Sequence, residues 1–217
     1  MERQLRIGRV AHFNDPFEGL LGDECVLPPP HQALSLQLPK ILRDLANEKY
    51  GILSLSAITD PAEHPLMWSQ YASHHGGAAL GFRKPALSKL GLLLQVNYTP
   101  SRPCFNIPNM NKNLGIAFTH LQKGLPESKS ANRSFKRIFG CKAKIWELEK
   151  EERLIVNLPR RLNSHSYLKI PRNALAHIFI GASSRLKPEC VHKLGQCQLF
   201  FTSVPIRNHL GAGLGLG

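Results

Sequence analysis

Four of the six carboxylates in residues 64–217 fall within eight consecutive positions, Trp146-Glu147-Leu148-Glu149-Lys150-Glu151-Glu152-Arg153. Any acid/base or cation-stabilising carboxylate from that part of the chain must come almost entirely from this run. Read as an extended strand, the run turns Glu147, Glu149 and Glu151 to one side and Leu148, Lys150 and Glu152 to the other, because side chains alternate with a period of two. Three carboxylates in a row repel one another. At least one therefore requires a positive partner or a raised pKa, and Arg153 and Lys142 are the cations at hand. Glu151, adjacent to Glu149 on that face and leading into the strand-like run 153–157, is best placed to stabilise a developing positive centre. The same pattern also fits a solvated edge strand whose charges discourage aggregation.

A second group is Met67-Trp68-Ser69-Gln70-Tyr71-Ala72-Ser73-His74-His75-Gly76-Gly77. On a helix Trp68 and Tyr71 share a face, and His75 lies two turns from Trp68 on nearly the same stripe. This reads either as an aromatic pocket wall ending in an imidazole that can exchange a proton near neutral pH, or as an ordinary core stripe. A third group, Phe13-Asn14-Asp15-Pro16-Phe17-Glu18, reads first as a turn, with Asn14 and Asp15 bonding nearby backbone and both phenylalanines packed inward, and as a lesser alternative Asp15 or Glu18 serves in ligand or metal binding.

Other chemistries are poorly served. The five cysteines are odd in number and include no Cys-x-x-Cys, which fits neither a disulfide framework nor a zinc ribbon. Cys190, His192 and Cys197 read as a helix surface leading into a strand, and no metal is expected. No phosphate-binding loop, Rossmann glycine pattern or nucleophile elbow is present. The last Asp is Asp60, which argues against a two-metal nuclease built from the later part of the chain.

Charge is spread unevenly within a net +13. Residues 1–63 hold six Lys/Arg against nine Asp/Glu, whereas residues 64–217 hold 22 against six. Such a field attracts polyanions, so nucleic acid, a phosphate-rich nucleotide or an acidic protein is the expected partner, and for nucleic acid Arg133, Lys136, Arg137, Arg160 and Arg161 would be the phosphate contacts. A solvated basic face is the plainer alternative. No apolar run reaches the roughly 20 residues a spanning helix needs, and the N-terminal residues form no secretory signal, so a cytoplasmic protein is expected.

The elements that must position these residues follow from local pattern. Strands are expected at 5–13, 51–57, 78–82, 92–98, 143–148, 153–157, 166–170, 174–181 and 198–204. Helices are expected from Pro39 to about residue 47, from Asp60-Pro61 to Gly76-Gly77, near 114–121 and near 188–194. Strands outnumber helices without regular alternation, which predicts an α+β fold. The expectation is one domain over 1–210, with a mixed and mostly antiparallel sheet holding both 51–57 and 174–181 under the Trp68 helix. Residues 101–140 are its loosest segment and 211–217 a flexible Gly-rich tail.

The three groups, in this order and spacing, resemble the bacterial domain-of-unknown-function family 2971. The resemblance runs from the Asn14-Asp15-Pro16 turn through Trp68, Tyr71, His75 and Gly77, then Val96 and Tyr98, then Lys142, Trp146, Glu149, Glu151 and Arg153, and ends at 178–181. Members of that family usually begin with a further strand and helix, so a shortened N-terminus is expected. Its pattern is remotely similar to ADP-ribosyltransferase-like folds, which cleave the nicotinamide bond of NAD. That likeness implies a nucleotide-acting effector or defence domain with NAD as substrate. Glu151 would be the central charge with Glu149 and His75, and substrate contacts would come from Trp68, Tyr71, Asn14, Asp15, Arg153 and Lys142.

Overall fold

A computed structural model describes residues 4–10, 13, 32–61, 64–101, 119, 136, 138–158, 166–185 and 198–201, with backbone alone for 32–39, 42, 166 and 198–201. In chain order its elements are β1 (Gln4–Ile7), α1 (Gln32–Lys49), β2 (Tyr50–Ser56), α2 (Pro65–Tyr71), β3 (Ala78–Phe82), α3 (Lys84–Leu87), β4 (Leu92–Gln95), β5 (Asn97–Thr99), β6 (Cys141–Ala143), a 3-10 helix (Lys144–Glu149), β7 (Glu151–Asn157), β8 (Ser166–Lys169), β9 (Leu175–Ile180) and β10 (Gln198–Phe201). The fold is α+β. The chain divides into two compact units, Met1–Ile58 with Phe82–Leu175, and Thr59–Gly81 with Ala176–Gly217.

At the centre of the first unit lies β7, whose Leu154-Ile155-Val156 run suits a strand buried on both faces. It pairs antiparallel with β2 on one side and β4 on the other. Alternation along the three strands makes two different faces. One carries Leu53, Leu55, Leu93, Leu154 and Val156, and packs with Ile7, Phe82, Leu87, Leu90 and Leu168. The other begins apolar, with Ile52 opposite Ile155 and with Tyr50 edge-on to Phe139 at 5.7 Å between ring centroids. It then turns polar where Ser54 lies opposite Arg153 and Ser56 opposite Glu151. Entry into β4 needs Gly91, because a Cβ there would run into the Ile155 carbonyl and stand 2.9 Å from Val156 Cγ1.

Two short ladders flank this sheet. β1 pairs antiparallel with β8, and just past β1 Gly8 exchanges two 2.9 Å backbone hydrogen bonds with Ile52. At Val96 the chain leaves β7, with Val96 N–H donating to the Glu151 carbonyl, and β5 then pairs parallel with β6. In the second unit β9 lies between β10, to which it is parallel, and β3.

Several expectations are corrected. The strand runs 51–57 and 174–181 form, but in two different sheets, and the described strands make four small sheets. The expected strand 92–98 divides at Val96 because its halves pair with different partners. Helix α1 starts at Gln32, so Pro39 is an interior residue that forgoes one helical hydrogen bond in a stretch rich in Gln, Ala and Leu. Helix α2 opens at Pro65, not Pro61, and ends at Tyr71, well short of the glycine pair. The expected strand 143–148 is a 3-10 helix instead, ended by Lys150 with φ of 45°. The expected helix near 114–121 apart from residue 119, the expected helix near 188–194, nearly all of segment 101–140, and the tail lie outside the described residues.

Among the described residues no helix is long and apolar enough to cross a membrane. Leu154 is fully buried at the middle of the central strand. Leu154→Ala should therefore cost about 2–5 kcal/mol of stability, read as a lowered urea midpoint with unchanged slope.

Candidate functional site

The polar end of the β2-β7-β4 sheet holds a buried cluster of charges. Arg153 donates from Nε to Glu151 Oε1 at 2.7 Å and from its second terminal nitrogen to Oε2 at 3.0 Å, a two-pronged contact within β7. Its remaining terminal nitrogen donates to the Phe139 carbonyl at 2.7 Å, and its guanidinium carbon lies 5.1 Å from the Phe13 ring centroid. Ser54 Oγ–H donates to Glu151 Oε1 at 2.7 Å from the neighbouring strand. Lys142 Nζ bridges Glu149 Oε2 at 2.5 Å and Glu151 Oε2 at 3.2 Å, and lies 5.0 Å from the Trp146 ring centroid.

Each element has a definite part in this. β5 and β6 set Tyr98 opposite Lys142, which brings the Tyr98 oxygen within 2.7 Å of the Glu151 N–H that donates to it. Three residues per turn put Trp146 and Glu149 on one side of the 3-10 helix, where both meet Lys142. The left-handed Lys150 then reverses the backbone, so that Glu149 and Glu151 converge by a kink and not by strand alternation. Ser56 closes the arrangement with a 2.7 Å bond to the Glu149 carbonyl.

The edge-strand alternative is overturned, since β7 is the middle strand of its sheet and Glu151 is 3% exposed. The expected row of three glutamates does not form either. Glu147 stands outside on the 3-10 helix beside Lys144, and Glu152 points to the opposite face and pairs with Lys84 at 2.7 Å. Burial by itself would raise the Glu151 carboxyl. The Arg153 hydrogen bonds and charge, the Ser54 hydroxyl and the Lys142 charge outweigh it and hold the carboxyl below its ordinary value of 4.5. Burial pushes the Tyr98 hydroxyl above its ordinary value of 10.0. Two anions and two cations balance within the cluster, and each Glu151 oxygen already accepts two hydrogen bonds from the protein.

The aromatic group belongs to the second unit. Trp68 is 2% exposed and donates its indole N–H to the Pro61 carbonyl at 2.8 Å, whereas Tyr71 is 50% exposed. These two residues therefore do not share a pocket wall. Residues Ser73, His74 and His75 all have positive φ, of 48°, 52° and 66°, and fold the chain back so that His75 stacks on Trp68 with centroids 6.2 Å apart. The pairing of Trp68 with His75 thus arises from a left-handed turn and not from a continued helical stripe. The His75 carbonyl accepts from Ser183 N–H at 3.0 Å, and Gly181 packs so closely beneath it that a Cβ would collide. His75 Nδ1 is buried and has no hydrogen-bond partner among the described residues.

Asn14, Asp15 and Glu18 lie outside the described residues, as do Cys190, His192 and Cys197. Among the described residues no group of three or more His, Cys, Asp or Glu could hold a metal ion. Ser54, Ser56 and the Phe139 carbonyl were not among the sequence candidates. The even spacing of Ser54 and Ser56 on β2 is the signal that pairs them with the Glu151–Arg153 face.

The Glu151 carboxyl titrates lower in the folded chain than in the unfolded one, so its stabilising contribution is fully present above about pH 4.5 and is lost as pH falls through the folded value. Glu151→Gln leaves Arg153 incompletely compensated in the interior and should cost about 3 kcal/mol or more at pH 7, with the difference shrinking in acid. Glu152→Gln breaks a pair whose lysine is 60% exposed and should cost at most about 1 kcal/mol. Denaturant melts of the three proteins at pH 7 and near pH 3 check both expectations. Compared with protein-family models, curated proteins and solved structures, the chain matches none.

Proposed function

We propose that this protein binds nucleic acid through a basic surface without acting on it chemically. The observation that carries the reading is how the few acids of residues 64–217 are used. Glu147, Glu149, Glu151 and Glu152 are all engaged by lysine or arginine, two of them in the interior, which leaves Glu127 and Glu189 as the other acids of that long stretch. Exposed cations among the described residues of the first unit include Arg83, Lys89, Lys136 and Lys150. A field of this kind raises the local concentration of a polyanion and exchanges its counterions for side chains.

The alternative is NAD cleavage in the manner of ADP-ribosyltransferase-like folds, with Glu151 as the charge that stabilises an oxocarbenium-like centre. That role asks a carboxylate to turn a free lone pair toward the sugar. Glu151 gives both oxygens to Arg153, Ser54 and Lys142, which favours a structural part for it.

Binding should weaken steeply with ionic strength. Fluorescence anisotropy with labelled single-stranded and duplex oligonucleotides should record a roughly ten- to hundredfold loss of affinity between about 50 and about 200 mM salt. An absence of binding at the lower salt would overturn the proposal, and binding indifferent to salt would contradict its electrostatic basis.

A further inference from the structure

The β1–β8 ladder is two-faced in a way the charge distribution alone does not reveal. Residues directly opposite one another in an antiparallel pair share a face, and so do residues two apart along one strand. The register sets Gln4 opposite Lys169 and Arg6 opposite Tyr167, so these four side chains stand together on one side. All four are exposed, and Tyr167 is 58% exposed. The other side carries Leu5, Ile7 and Leu168, of which Ile7 belongs to the buried core and Leu168 packs against it. The ribbon is thus anchored through its apolar face, and its outward face presents a phenol directly across from a guanidinium and two residues from an ammonium. It also brings Arg6, from the acidic beginning of the sequence, into the basic part of the unit.

We propose that this outward face is a stacking platform for single-stranded nucleic acid, with a base on the Tyr167 ring and the adjoining phosphates on Arg6 and Lys169. This rests on the nucleic-acid-binding reading above and names the form of nucleic acid and the side chain that reads it. Three features favour this occupant. Arg6 and Lys169 are diagonal neighbours, about 7–8 Å apart along the ribbon, flanking the ring and complementary to a phosphate chain. An exposed aromatic ring between cations provides base stacking plus phosphate pairing, the combination that holds single strands without sequence preference. In a duplex the faces of the bases are already stacked on their neighbours, so the ring has no base face to meet unless one is extruded. An anionic membrane is disfavoured, because this face offers one aromatic ring and no aliphatic area to insert.

Anisotropy titrations with a labelled poly-dT oligonucleotide, the matching duplex and heparin, and sedimentation with anionic phospholipid vesicles, test the platform in the full chain. The unmodified protein should prefer the single strand. Tyr167→Ala should weaken single-strand binding roughly tenfold with little change in heparin binding or melting temperature, and Tyr167→Phe should retain it. Arg6→Gln should lower the salt slope for the single strand by about 0.7, the loss of one phosphate contact. Single-strand binding that is intact in Tyr167→Ala overturns the platform while leaving general nucleic-acid binding standing. Failure of the unmodified protein to bind any oligonucleotide at low salt overturns both readings. Binding to vesicles in preference to oligonucleotides assigns the face to a membrane and overturns the platform as well.

Discussion

A guanidinium in a protein interior must have its charge and its donors answered, and Arg153, 1% exposed in the middle strand of its sheet, imposes that demand on everything around it. Glu151 answers the charge, and the Phe139 carbonyl takes a donor. The Phe13 ring lies beneath the guanidinium carbon. Glu151 then requires its own partners, which come as Ser54 from β2 and Lys142 from β6. Lys142 in turn draws in Glu149 and Trp146. One buried cation thus ties together β2, β6, β7, the 3-10 helix and the segment at Phe139. A buried ion pair is weak evidence of net stability, since an apolar replacement can serve as well. What it does here is set register, because a one-residue slip of β7 would move Arg153 and Glu151 onto the face built from Leu53, Leu55 and Leu93.

The same constraint shapes the surface. Two anions and two cations cancel within the cluster, so the excess of cations in residues 64–217 lies outside it. The exposed aromatic on β8 has its place in that exterior because alternation in a short ladder leaves no choice: with Leu168 committed to the core, Tyr167 must face out.

Much of this was legible in the sequence where the signal was local. The apolar runs of β2, β3, β7 and β9 announced themselves, and scarcity of acids after Asp60 pointed to the Glu149–Arg153 region and its partner Lys142. What failed was continuity. The 143–148 run alternates like a strand, yet the tertiary demand to bring Glu149 to Lys142 is met by a 3-10 turn that leaves Ile145 and Leu148 83% and 66% exposed. The aromatic helix fails likewise, ending at Tyr71 because three successive left-handed residues turn His75 back onto Trp68, a conformation that non-glycine residues rarely adopt and that no periodicity encodes. The polar face was illegible for a different reason: Ser54 and Phe139 reach Arg153 only through strand pairing across about 100 residues of sequence or a carbonyl, and neither leaves a mark in composition.

On this reading the Glu151–Arg153 cluster holds the fold, and the proposed ligand is met elsewhere, by surface cations. Glu151→Gln separates the two most directly, when its melting temperature and its affinity for a single-stranded oligonucleotide are measured on the same preparation, under conditions where it is fully folded. The expected result is a lowered melting temperature with unaltered affinity. An unaltered melting temperature with lost affinity would contradict it and return Glu151 to the ligand.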